Sequence, residues 1–293
     1  MNTAVSNTMT KPAAAPVVRH RAWGRFKRNR MAVVGLALMI VLILLALFAP
    51  MIATHDPAEQ DLMQRLKPPS AEHWLGTDDL GRDLFSRILY GSRVSLSVGI
   101  FSVLFNVVIG VVVGSIAGYY GGRTDSILMR FVDMMLAFPT FFLLIAVVTL
   151  FKPSLTNIII VLVVFGWMGK SRLLRGQILS IKNREYIDAA RTIGMSDLRI
   201  IFVHILPNAL APVIVSATLQ MGTMILTESS LSFLGLGIQP PHASWGNILQ
   251  SAQNLTIMMK APWVPILPGF MIFLTIMCFN FIGDGLRNAF DSR

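Results

Sequence analysis

The sequence predicts an all-α integral membrane protein built on six spanning helices, and three observations predict it. Of its 293 residues 54% are hydrophobic and only 14% charged, whereas a soluble domain of this length carries about 25% charge. The apolar residues are gathered into runs near the ~20 residues a helix needs to cross a bilayer. Lys and Arg lie unevenly in the segments between those runs. A net charge of +10 would suggest nucleic acid in a soluble chain. Here the basic residues flank apolar spans, so they read as orientation signals and contacts with anionic membrane lipid, not as a nucleic-acid surface.

Residues 1–30 contain seven basic and no acidic residues and form a basic tail. Its Ala/Pro/Thr-rich first part is expected to be disordered, and residues 23–30 to make a short basic helix on the membrane surface. The first span is 31–53. It is too long for a signal-peptide core and no small-x-small cleavage site follows it cleanly, so it reads as retained. Residues 54–92 are rich in acids and broken by Pro68 and Pro69, as expected of a loop lying against the membrane. The core, 93–283, holds the runs 94–119, 127–151, 155–168, 207–231 and 262–282. The fourth run is short and needs completion through Leu174. A polar segment, 169–206, separates spans four and five, and 284–293 forms a C-terminal tail.

With the N-terminus inside, the inner segments carry 17 Lys and Arg and the outer ones 6. That bias predicts cytoplasmic termini and an outer 54–92 loop. Gly110, Gly114 and Gly118 recur every four residues in span two, on one helix face where a second helix could approach closely. Charges inside spans are costly and usually face a bundle interior. Arg130 and Asp133 share a face and are candidates to pair. Glu228, near the outer end of span five, reads either as a paired structural group or as lining of a translocation pathway, with the lining slightly favoured. Asp284 reads as structural.

The most informative stretch is the inner segment 186–197, Tyr-Ile-Asp-Ala-Ala-Arg-Thr-Ile-Gly-Met-Ser-Asp, running on to Leu206-Pro207. Its pattern is helical from about Ile178. Gly194 can take the left-handed conformation that stops a helix, Ser196 can cap the next one, and Pro207 suits the first turn of a span. Ala189 and Ala190 remove bulk on a charged loop helix. Either the helix seats in another protein's groove, or the alanines pack on their own bundle.

This loop resembles the signature loop of permease subunits in bacterial ABC importers. Asp188 stands where Glu is usual, Ala189, Ala190 and Gly194 match in spacing, and Leu206-Pro207 match its end, with His204 in place of Ile. The resemblance extends to 75–83 (Leu-Gly-Thr-Asp-Asp-Leu-Gly-Arg-Asp), 117–122 (Ala-Gly-Tyr-Tyr-Gly-Gly), 133–139 (Asp-Met-Met-Leu-Ala-Phe-Pro), 230–241 and 283–287. Together these are similar to the C-type permease of dipeptide/oligopeptide/nickel importers. The resemblance implies a type I importer-like six-helix bundle paired with a homologous B-type permease. It implies two cytoplasmic ATPase subunits, which bind ATP and Mg, and a periplasmic or extracellular substrate-binding protein. It implies residence in a bacterial inner membrane and places the ATPase-coupling loop at Asp188, Ala189, Ala190, Gly194, Met195, Ser196 and Asp197. The expected mechanism is alternating access. Peptides lead as substrates, ahead of nickel or glutathione-like solutes.

No catalytic role is expected. Gly169-Lys170-Ser171 looks like the end of a phosphate-binding loop, but Val164 occupies the place of the first glycine and no strand precedes it. ATP therefore falls to partner subunits and no cofactor is assigned to this chain. There is no nucleophile elbow or His-Glu-x-x-His motif. The single cysteine, Cys278, reads as an inert apolar residue. His55 and His73 share a loop with acids but read as solvated, so no metal site is assigned. The rival classes are a secondary transporter, which would work without ATPases, a membrane-embedded enzyme, which would cluster catalytic residues at one depth, and a scaffold, which needs no coupling loop.

Overall fold

The computed structural model describes residues 18–152 and 154–290. The disorder expected of the first part of the tail falls on residues outside that range. Helix α1 (Val18–Arg28) is the expected basic helix, but it leans on its own chain. Phe26 is buried with Ala32 and Ala289, and a Cβ on Gly285 would collide with the Ala32 side chain and the Phe26 ring. The first span is α2 (Arg30–Leu47), capped by the Asn29 side chain accepting from the Ala32 N–H at 3.2 Å, and extended by α3 (Ala49–Ile52).

The second span begins earlier than the apolar run suggests. Helix α4 (Leu84–Tyr120) has 37 residues, started by Asp83, whose carboxylate accepts the Ser86 N–H at 2.8 Å. At 1.5 Å per residue it is about 55 Å long, well beyond a ~30 Å hydrocarbon core. Its first turns are held outside the apolar run by the folded 54–83 segment. Gly121, at φ +68°, ends it.

Span three is not one helix. Residues of the expected 127–151 run are divided between α5 (Gly122–Leu136) and α6 (Thr140–Val148), which meet at 79°. Pro139 explains the break, since a residue before proline is pushed out of the helical region. Two ion pairs fasten α5 to the next span: Asp125 accepts from Arg175 Nη2 at 2.6 Å, and Asp133 pairs with Arg172. Asp133 thus finds its partner 39 residues away and not in Arg130.

Span four consists of α7 (Leu155–Gly166) and α8 (Met168–Ile181), so it runs on past Leu174. The loop then forms α9 (Glu185–Thr192) and α10 (Asp197–Arg199). Helix α10 leads through a π-helical turn, Ile200–Ile205, into α11 (Leu206–Phe233). Span five is therefore continuous from Asp197 instead of starting at Pro207. The wide turn gives room for the proline ring, which would clash with the carbonyl four residues back in a regular helix. Short helices α12 (Trp245–Leu249) and α13 (Leu255–Lys260) precede the last span, α14 (Trp263–Phe290).

Five of these stretches are long and apolar enough to cross a membrane, and α5 with α6 makes a sixth if the bent pair counts as one. No strand forms among the described residues, only a single bridge between Thr77 and Asp83. Helix α4 is central: it packs against α2, α7, α8 and α11, while α14 packs against α2 and α11. Val41, Phe105, Leu104 and Phe273 lie exposed on the outside. Such a surface would be a liability in water but is solvated by lipid.

Candidate functional site

Helix α9 carries two stripes set by helical spacing. Ile187 and Ala190 point inward and are buried with Leu174, Ile178, Ile200, Ile205 and Ala209. Tyr186, Ala189 and Ile193 point outward and are exposed. The two alanines therefore do different work. Ala190 lets α9 lie on its own bundle, while Ala189 keeps the outward face flat.

Gly194 ends the helix at φ +78°. Its N–H donates to the Arg191 carbonyl at 2.9 Å and the Met195 N–H to the Ala190 carbonyl at 3.1 Å, the paired bonds of a Schellman turn. Met195, half-buried, packs into the same apolar cluster as Ala190, which supplies the hydrophobic contact such turns use. No atom lies within 4 Å of a Cβ placed on Gly194, so this glycine is needed for its backbone angle and not for space. Ser196 stands at the start of α10 without donating or accepting a side-chain cap. Asp188, exposed, pairs with Arg191 at 3.0 Å. Asp197 accepts the Tyr119 hydroxyl at 2.6 Å, and the Arg191 guanidinium lies 5.7 Å from the Tyr119 ring centre. The loop is thus pinned to the end of α4.

Two residues that sequence reasoning passed over are also exposed in this loop. Ile193 is 76% exposed and Leu198 65% exposed, one on each side of the Gly194 turn. The signal was present, since both are large aliphatics in a segment otherwise full of charge. An apolar pair held at the tip of a well-packed polar loop fits a surface that another protein covers.

Gly110, Gly114 and Gly118 lie against α8. A Cβ on each would meet Lys170 Cβ at 2.6 Å, the Ser171 carbonyl oxygen at 2.6 Å and Ile178 Cβ at 2.9 Å. The α8 helix therefore touches α4 backbone to backbone, and α8 leads directly to the loop. Lys170 is buried in this seam, on a helix and not in a phosphate-binding turn.

Glu228, read from sequence as a paired group or a pathway lining, sits among hydroxyl groups. It is fully buried, accepting the Ser232 hydroxyl at 2.7 Å and the Ser229 hydroxyl at 3.3 Å, with Ser95 and Ser244 completing a ring of hydroxyls. Ser95 in turn accepts the Trp245 N–H at 3.2 Å. The carboxyl thus joins α4, α11 and α12. A second polar group that sequence reasoning missed lies where span four breaks. Asn106 is buried against Gly166, and Gln220 donates to the Gly166 carbonyl at 2.9 Å. A polar residue inside an apolar run was the available clue.

At the other end of α4, His55 and His73, read from sequence as solvated, lie ring to ring and His73 is buried.

The family described as "Binding-protein-dependent transport system inner membrane component" matches residues 110–293, and "N-terminal TM domain of oligopeptide transport permease C" matches 19–69. A dipeptide transport system permease protein of Alkalihalophilus pseudofirmus is 47% identical over 93% of this chain and 89% of its own. An oligopeptide transport system permease protein of Bacillus subtilis is 42% identical over 92% and 88%. A glutathione transport system permease protein of Escherichia coli O157:H7 is 43% identical over 99% and 96%. Among solved structures, a chain of the MetNI methionine ABC transporter in an inward-facing conformation superposes with a TM-score of 0.55 at 21% identity. It covers 70% of this chain and 97% of its own, a likeness of fold.

Proposed function

Because the chain belongs to the family of binding-protein-dependent transport system inner-membrane components, we propose that it forms the C-type half of a short-peptide pathway driven by ATPase subunits docked on its 185–199 loop. It is a transmembrane permease subunit of an ATP-driven importer. Dipeptide, oligopeptide and glutathione permeases are all close relatives, and short peptide-like solutes are the chemistry those names share. The remaining parts are a homologous B-type permease, two ATPases that hold ATP and Mg, and a binding protein on the far side. The excess of Lys and Arg in the loop and tails supports cytoplasmic termini in a bacterial inner membrane.

The observation that carries the reading is the exposed Ile193 and Leu198 pair on a loop whose other face is packed into the spans. ATP binding closes the partner ATPases and displaces α9. Ile187 and Ala190 transmit that displacement to Ile178 of α8 and to Ile200 and Ile205 at the root of α11. These have no slack, because interiors packed at crystal density move as units. Helices α8 and α11 then rock against α4 and reopen the pathway to the other side.

Ala189 is the position that tests this. A charged residue at Ala190 would enter a buried site and disturb folding. An arginine at Ala189 keeps the loop and obstructs only the outward face. In proteoliposomes containing the complete complex, Ala189→Arg is expected to cut ATP-driven peptide uptake at least tenfold, about 1.4 kcal/mol of lost docking, with normal membrane insertion. Uptake at the wild-type level would sink the coupling role.

A further inference from the structure

The folded 54–83 segment brings together side chains that are far apart in sequence, at the end of α4 opposite the coupling loop. His55 follows the first span, Glu72 and His73 lie mid-segment, and one ligand atom from each falls within 4.8 Å of the others. The imidazole rings are 4.6 Å apart between centres, tilted by 35°. We propose that His55, Glu72 and His73 form a binding site for a divalent transition-metal ion of the zinc type.

A chain of hydrogen bonds prepares both rings for it. His73 Nδ1 lies 2.9 Å from the buried Asp83 carboxylate. A carboxylate only accepts, so Nδ1 carries the proton and Nε2 keeps the free lone pair. Thr54 donates its one hydroxyl proton to the other Asp83 oxygen at 3.3 Å. Its oxygen therefore accepts from His55 Nδ1 at 3.0 Å, which leaves Nε2 of His55 free as well. A carboxylate that fixes the tautomer and orientation of a histidine is the usual support of a metal-bound imidazole. Asp83 does this while also capping α4 through the Ser86 N–H.

The donor set decides the class of ion. Two imidazoles and one carboxylate suit zinc and its neighbours, whereas magnesium and calcium favour all-oxygen shells. With bonds of about 2.1 Å the ligand atoms of a tetrahedral site stand roughly 3.4 Å apart. Glu72 is exposed, so its long side chain can close the remaining distance to the two rings. Water fills the fourth position. The ion would tie the end of the first span, the middle of the loop and the start of α4 into one unit, as a resident staple outside the translocation machinery.

Equilibrium titration of the tag-free full chain in lipid nanodiscs with Zn²⁺, in competition with a chromophoric chelator, tests this. Wild type is expected to bind one Zn²⁺ per chain more than the His55→Gln/Glu72→Gln double variant. Either single substitution weakens binding tenfold or more. Both positions are solvent-accessible, so the variants keep the fold. Saturating Zn²⁺ is expected to raise the melting temperature of wild type and leave the double variant unmoved. Equal stoichiometry and affinity in wild type and double variant, including no binding by either, would overturn the site.

Discussion

Glycines on α4 and α8 make opposite demands on a methyl group. Gly114 faces the Ser171 carbonyl oxygen, which a Cβ would meet at 2.6 Å. That oxygen belongs to the backbone and cannot turn aside, so Gly114→Ala must push α8 away. The expected cost is about 1–3 kcal/mol. Gly176 sits in α8 with nothing within 4 Å of its Cβ position and is exposed. There Gly176→Ala removes only backbone freedom and is expected to stabilise by about 0.5–1 kcal/mol. Thermal unfolding of the two variants in nanodiscs checks both signs, and equal shifts would mean that α4 and α8 do not meet as closely as described. The same distinction separates Gly194, whose left-handed backbone angle matters while the space around it is open.

Among the elements, the junction between α4 and the loop is where the proposed coupling can be tested. The Tyr119 hydroxyl donates to Asp197 at 2.6 Å, at the first residue of the continuous helix that becomes span five. Tyr119→Phe removes a bond to a charged acceptor, worth about 1.5–3 kcal/mol, and leaves the ring in place. ATP hydrolysis by the whole complex is expected to persist while peptide taken up per ATP falls. An unchanged ratio would show that this anchor carries no force. The elements also show what could be read in advance. Apolar runs announce themselves along the chain, and the four-residue glycine spacing and the Gly194 turn are local, so these were legible. Asp133 chose Arg172 over Arg130, and Glu228 gathered hydroxyls from Ser95 and Ser244. Both choices depend on tertiary neighbours that no local pattern contains. The early start of α4 at Leu84 was hidden because Ser86, Arg87, Ser92 and Arg93 interrupt the apolar residues of its first turns. The 79° bend between α5 and α6 was foreshadowed by Pro139 but masked by the unbroken hydrophobicity around it.

At the scale of the whole molecule, one long helix links two specialised ends. At one end the packed inner stripe of α9 meets α8 and the root of α11, while Ile193 after α9 and Leu198 of α10 are left exposed. At the other, the 54–83 segment and α12 close over the start of α4, joined by Asp83 and Glu228. On the proposed reading, in which partner ATPases drive the chain, those partners grip it at the uncovered face. The chain has a single native cysteine, Cys278, which is buried, so a new thiol can report contacts cleanly. The most direct measurement is disulfide or bifunctional-reagent crosslinking from Ile193→Cys in a Cys278→Ser background within the assembled complex. A crosslink to an ATPase subunit, with a yield that changes between nucleotide-free and ATP-bound states, is the predicted result. A position-193 thiol that remains freely labelled by a water-soluble maleimide in the active complex, with no crosslink to any ATPase, would contradict the account.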